Sequence, residues 1–326
     1  MVYAQIHVEP EMPEEVVSDQ RPDSQPVLEI KNLVKRFGKR NVVDGLSLTL
    51  ERGNVYGLIG PNGAGKSTTL RMLMRLLVSD SGEVSVLGRD IDTQFQTVKH
   101  RIGFVPESHH IYAWMPIRQV IQFTRSFYPN WNDQLCDELL SLFRLEPQKK
   151  VKQLSKGMVA KLALLVAVCH EPDLLLLDEP LNGLDPIARE EFMDGVLKSI
   201  CDCGTTILFS SHSMEDVQRI ADRVGILHDG RLLVDSTTDR LLTDTKRFQI
   251  VVEPGSKLNW MPESTVYSSQ IGREATVTVS GFSPALHEEF RVRNSLDEVR
   301  VNEVTLEEAF KDYIRGQYSN DKNEGV

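Results

Sequence analysis

The sequence predicts an α/β protein with a mainly parallel sheet, an antiparallel β subdomain and a helical subdomain, followed by a small α+β domain. Three observations carry that expectation. The glycine-rich run Gly60-Pro61-Asn62-Gly63-Ala64-Gly65-Lys66-Ser67-Thr68 joins the apolar stretch Val55 to Ile59 to a helical pattern beginning near Ser67. Asp173 is followed by four leucines, 174 to 177, which end in Asp178-Glu179-Pro180; a short unbroken apolar run of this kind is a strand buried on both faces. At either end of the chain the pattern changes to alternation, Leu46, Leu48 and Leu50 first and Phe248, Ile250 and Val252 later, as half-buried antiparallel strands require.

Residues 1–26 contain four prolines and a cluster of acids without sustained periodicity, and read as a disordered acidic tail. The main domain is expected over 27–242. Val27 to Ile30 and Leu46 to Leu50 are its antiparallel strands, and between them lies Phe37, placed where an aromatic ring could stack on a base, although a lone aromatic more often belongs to a core. The run at 60–68 has the P-loop spacing. Its glycines turn the backbone so that successive N–H groups face inward, the helix start adds free amides and a positive dipole end, Lys66 reaches terminal phosphates, and the Ser67 hydroxyl suits Mg²⁺. Val84 and Val86 suggest a further strand, and Ile102 to Val105 a buried one that runs into Glu107, a carboxylate at a strand end able to meet the metal directly or through water.

Residues 108–155 read as an inserted helical subdomain, with Tyr112, Trp114 and Met115 at its entrance as either core or a partner surface. Leu154-Ser155-Lys156-Gly157 then opens a helix, with Ser155 suited to cap it, and the helix is apolar enough after Lys161 to be buried. Asp178, at the end of the leucine strand, suits Mg²⁺ held together with Ser67, and Glu179 suits a base for an attacking water. Thr206 to Ser210 is the next strand and brings His212 to the same sheet edge as Lys66 and Asp178. Val224 to Leu227 and Arg231 to Val234 close the domain as a strand pair. The α+β domain spans 243–317, with a capping box at Thr305 to Glu308 before its last helix, and 318–326 reads as a frayed tail.

With 37 basic and 47 acidic side chains the net charge is -10, which argues against a nucleic-acid partner. The four cysteines form no paired metal motif, and the longest apolar stretch, Leu162 to Cys169, is far short of the ~20 residues that a membrane helix needs.

Taken together, residues 27–242 resemble the nucleotide-binding subunit of ABC transporters. The resemblance makes Phe37 the adenine-stacking aromatic, 60–67 the Walker A loop, Glu107 the Q-loop position and 154–158 the signature sequence. It makes 174–179 the Walker B strand with its catalytic Glu179, Asn182 to Asp185 the D-loop and His212 the switch histidine. The signature departs from the family's commonest form, with Lys156 and Met158, and Glu107 stands in place of glutamine. These departures, the stretch Phe127 to Trp131 and the ending Leu306 to Phe310 are similar to the branch that contains bacitracin-resistance-type exporters.

The resemblance implies an ABC-type ATPase using ATP and Mg²⁺, dimerised head to tail as a homodimer or heterodimer, so that Lys66 of one subunit and Ser155 with Gly157 of the other share each ATP. It further implies a separate transmembrane permease subunit and a peripheral place on the cytoplasmic face of the plasma membrane. The rival readings are an importer ATPase of the same fold, a soluble ABC ATPase acting on nucleic acid or the ribosome, and a non-catalytic subunit. The transported substrate contacts the membrane subunit and is not written in this chain.

Overall fold

The computed structural model describes residues 25–184, 189–190, 192–193 and 204–323. The acidic tail up to residue 24 and Asp185 of the expected D-loop lie outside the described residues.

An antiparallel sheet forms first, from β1 (Leu28–Phe37), β2 (Arg40–Leu50), β4 (Ser81–Val86) and the short β5 (Arg89–Asp90), in the order β2-β1-β4-β5. β1 is longer than the apolar pattern suggests and carries Phe37 as its last residue, paired with Arg40 across a tight turn. The central sheet has the order β10-β9-β3-β8-β7-β6. Its strands β3 (Val55–Ile59), β6 (Ile102–Val105), β7 (Leu174–Asp178), β8 (Thr206–Ser211) and β9 (Arg223–His228) are parallel, and β10 (Arg231–Thr237) returns antiparallel to β9.

The leucines of β7 show why this strand is apolar throughout. Leu175 and Leu177 enter the core on one side of the sheet, Leu174 and Leu176 the core on the other, and none of the four is solvent-exposed. Period-two alternation therefore fills two cores from one strand, and each leucine contributes about 1.5–3 kcal/mol by its burial. One core lies under β1, β2 and α1 (Lys66–Leu73), and the other under α5 (Lys156–Val168) and α6 (Met214–Ile220). α5 is buried on nearly every side, as its apolar composition requires.

Between β6 and α5 sit α3 (Ile117–Arg125) and α4 (Asp133–Leu142), preceded on the antiparallel side by α2 (Ile91–Val98). The first helix of this region begins at Ile117, after Pro116 at φ -65° and ψ 149°, in keeping with proline's disfavouring of helix in the residue before it; residues 108–116 form irregular backbone.

After α7 (Thr238–Asp244) comes the third sheet, β12 (Thr265–Ile271), β13 (Glu274–Val279), β11 (Lys246–Val251) and β14 (Arg300–Glu303), with α8 (Pro284–Arg293) packing Phe290 onto it. The capping box forms as written in the sequence, the Glu308 amide donating to Thr305 Oγ1 at 3.2 Å and the Thr305 amide to Glu308 Oε2 at 2.9 Å. The helix it starts, α9 (Leu306–Asn323), runs beyond Gln317, where fraying was expected. Leu306, Phe310, Tyr313 and Ile314 make a 3.6-period stripe that packs against the central core, and this anchorage is what a local reading of the polar end lacks.

Candidate functional site

β3, β8 and β7 are neighbours, so their C-terminal ends bring three separate stretches of sequence to one sheet edge. From β3 the chain turns through 60–65 into α1. A Cβ at Gly60 would collide with the carbonyl of Leu227, and Gly65 stands at φ 111° with Val42 O 2.5 Å from where its Cβ would be. Only glycine fits either place. The loop and the first turn of α1 line a cavity of about 730 Å³ together with Glu107, Glu179, Asn182, His212 and Met214. A cavity of similar size, about 730 Å³, lies between β11, β13 and residues 294–298, but no glycine loop lines it and its charged side chains are mostly acidic.

The charged groups of the edge are linked in a chain. Lys66, 5% exposed, donates from Nζ to Gly60 O at 2.7 Å and lies 3.6 Å from Glu179 Oε1. Ser67 Oγ and Ser210 Oγ both donate to Asp178 Oδ1, each at 2.8 Å. Ser210 Oγ in turn accepts the Glu179 amide at 2.9 Å, and Glu179 Oε2 meets His212 Nδ1 at 2.7 Å. Glu179 stands at φ 48°, a left-handed conformation costly for a residue with a Cβ, which swings its carboxylate out of the strand into the cavity. The Ser210 hydroxyl pins that bend.

Asp178 is 1% exposed, and its Oδ2 is buried with no hydrogen-bond partner. An orphaned buried carboxylate oxygen is costly unless a cation satisfies it. With Ser67 Oγ beside it and Glu107 on the cavity wall, the oxygen donors fit Mg²⁺. The Glu107 carboxylate accepts from Asn182 Nδ2 at 3.4 Å.

The structure thus brings together Gly60, Pro61, Asn62, Gly63, Ala64, Gly65, Lys66, Ser67, Thr68, Glu107, Glu179 and His212, with Asp178 beneath. Phe37 is not on the cavity wall. It is 51% exposed, with the Lys35 ammonium 5.7 Å from its ring centre, and Val42 lines the cavity from that side. Leu154, Ser155, Lys156 and Gly157 are also away from the cavity, at the N-terminus of α5, where Ser155 Oγ accepts the Met158 amide at 3.2 Å and Ser155 and Lys156 are exposed. Sequence reasoning missed Ser210, whose signal was a hydroxyl ending an otherwise apolar strand. It also missed Phe310, which lines the cavity from far along the chain and carries no local signal.

Residues 43–182 match the family described as ABC transporter. The chain is 30% identical over 298 residues to the bacitracin transport ATP-binding protein BcrA of Enterococcus faecalis, covering 89% of this chain and 97% of that protein. It is 37% identical over 220 residues to the Nod factor export ATP-binding protein I of Burkholderia lata, 66% of this chain and 72% of that one. A solved ATP-binding subunit of an ABC transporter superposes with a TM-score of 0.61 at 29% identity, over 67% of this chain and 92% of its own.

Proposed function

The chain belongs to the ATP-binding subunits of ABC transporters and is an ATPase of that type; from this premise we propose that it drives export through a separate membrane subunit by closing on ATP as a head-to-tail dimer. The observation that carries the reading is the hydrogen-bonded chain Ser67–Asp178–Ser210–Glu179–His212 across three strand ends, directly beside the phosphate loop.

In this reading the amides of 60–68 and the Lys66 ammonium hold the β- and γ-phosphates. Ser67 Oγ and Asp178 would hold Mg²⁺, with Glu107 on the same cavity wall, and the ion when bound would supply positive charge to the phosphate oxygens. Glu179, already turned into the cavity, orients and deprotonates the attacking water. Its Oε1 faces Lys66 and its Oε2 faces His212, so the carboxylate is fixed on both sides, and His212 contacts the γ-phosphate. Phe37, exposed at the end of β1, is free to stack on adenine.

The signature residues complete the site from a second subunit. Ser155 and Lys156 are exposed and Gly157 half-buried at the N-terminus of a 13-residue helix, none of them on their own chain's cavity, so they are available to a phosphate bound elsewhere. Lys156 adds a positive charge there. Asp185 takes the D-loop role between subunits.

Among the described residues no helix is long and apolar enough to cross a membrane. In this reading, which rests on the transporter relatives, the protein acts from the cytoplasmic face of the membrane on a permease subunit, and Tyr112 and Trp114, 58% and 62% exposed with ring centres 5.9 Å apart, offer the contact. The export direction rests on the relatives, whose names describe bacitracin transport and Nod factor export.

Glu179→Gln tests the core of this reading. Turnover is expected to fall about 100-fold or more, as for loss of a general base, and the protein is expected to run as an ATP-dependent dimer on size exclusion. Unchanged turnover, or a monomer with ATP present, would refute the assignment. Solubilising membranes with the same variant and ATP is expected to bring down one polytopic membrane protein.

A further inference from the structure

The last helix is fastened on two sides. Toward its own sheet, Arg247 of β11 pairs with Glu308 at 2.8 Å and with Asp312 at 2.7 Å, and Thr278 Oγ1 of β13 donates to Asp312 at 2.6 Å. Toward the ATPase domain, Leu306 is fully buried in the central core and its amide donates to Gln218 Oε1 of α6 at 3.1 Å. One turn further along α9, Phe310 lines the nucleotide cavity, as does Met214 at the start of α6, and the two helices pack against each other. Beyond that, Tyr318 sets its ring edge-on to His228 at 5.2 Å. His228 ends β9, and in the turn that follows the Gly230 amide donates to Ala64 O of the phosphate loop at 3.0 Å. α9 therefore runs from α6 across the rim of the cavity to the backing of its phosphate loop.

His212 has little packing of its own. Its side chain is 53% exposed and is held by Glu179 alone among the bonds described, and the segment leads straight into Met214. Methionine has three rotatable bonds and takes its position from its neighbours. A rigid aromatic on the same cavity wall, carried by a helix packed against α6, limits where the His212–Met214 segment can settle.

We propose that Phe310 is a positioning residue for ATP hydrolysis: carried on α9, it wedges against Met214 and sets His212 in the cavity of its own chain, so that the C-terminal domain governs the turnover rate. This rests on the reading above in which His212 acts at the γ-phosphate. The α+β domain is thereby a rate-setting element in cis, with the Arg247–Asp312 pair transmitting its position to α9.

The test is a double-mutant cycle on the full chain. Phe310→Ala is expected to lower kcat about tenfold while Kd for trinitrophenyl-ATP stays within about twofold, and Phe310→Leu is expected to restore most of the rate. In a His212→Ala background, Phe310→Ala is expected to change the residual kcat by less than about twofold, because the residue it positions is gone. An equal factor in both backgrounds, or an unchanged kcat in the first, overturns the proposal. If the alanine variant does not fold, Phe310→Val, larger than alanine but too short to fill the place of the ring, carries the same cycle. Wild-type turnover in His212→Ala alone overturns the reading of the site and this inference with it. A loss in His212→Ala that multiplies with the Phe310 loss overturns the inference only.

Discussion

Ser210 has one hydroxyl and two duties. It donates to Asp178 Oδ1 and accepts from the amide of Glu179, so it holds both the carboxylate assigned to Mg²⁺ and the left-handed bend that aims the assigned base. Ser210→Ala leaves a buried amide and a carboxylate oxygen short of partners, a cost of about 1–3 kcal/mol. The expected result is a protein less stable to urea by that amount, a turnover rate about tenfold lower and a higher half-saturating Mg²⁺ concentration; titrating activity against Mg²⁺ separates the two duties. Lys66, Ser67, Asp178 and Glu179 were legible as residues because their chemistry comes with fixed spacing from a glycine loop or a leucine strand. Ser210 and Phe310 were not. Ser210 bonds to residues of another strand and Phe310 reaches a cavity built by distant stretches, and no spacing records that.

At the scale of elements, local chemistry wrote the ends and tertiary contact set the extents. The capping box at Thr305 was readable, and it also makes α9 sensitive to acid. The Thr305 amide, and then the Arg247 guanidinium, hold the Glu308 carboxyl below its ordinary value of 4.5. A carboxyl depressed in the folded state stabilises the fold above its unfolded value and loses that contribution as pH falls through the folded value. The stability difference between the native chain and Glu308→Gln, followed by urea unfolding, is therefore expected to be full at pH 7 and to shrink steadily below about pH 4.5. A difference independent of pH would remove the capping carboxylate from the account. The entry to α3 is also set locally: Pro116 holds it extended and leaves Tyr112 and Trp114, which the sequence left open between core and partner surface, on irregular backbone.

For the whole molecule, the decisive fact is that one chain presents the phosphate loop and the signature helix at separate places, and lines its cavity with the first only. Two copies in a closed two-fold arrangement satisfy both. In the proposed dimer Lys66→Ala removes one half of each shared site and Gly157→Glu the other, where a side chain would also press on Leu184. Each variant alone is expected to be inactive, and an equal mixture is expected to recover about a quarter of the wild-type rate, since half the dimers then hold one intact site of two. Failure of the mixture to recover activity, with dimers present on size exclusion, would argue against sites shared between subunits. The sequence by itself determined the phosphate loop, the buried leucine strand with its two acids, the α/β class and the change to a second domain near residue 243, because each depends on residues that are neighbours along the chain or recur with a fixed period. Only the tertiary structure decided that β8 lies between β3 and β7, that Ser210 joins their ends, and that the final helix reaches the wall of the nucleotide cavity. Those are pairings between distant stretches, settled by how strands order themselves in a sheet and how two domains bury their apolar faces.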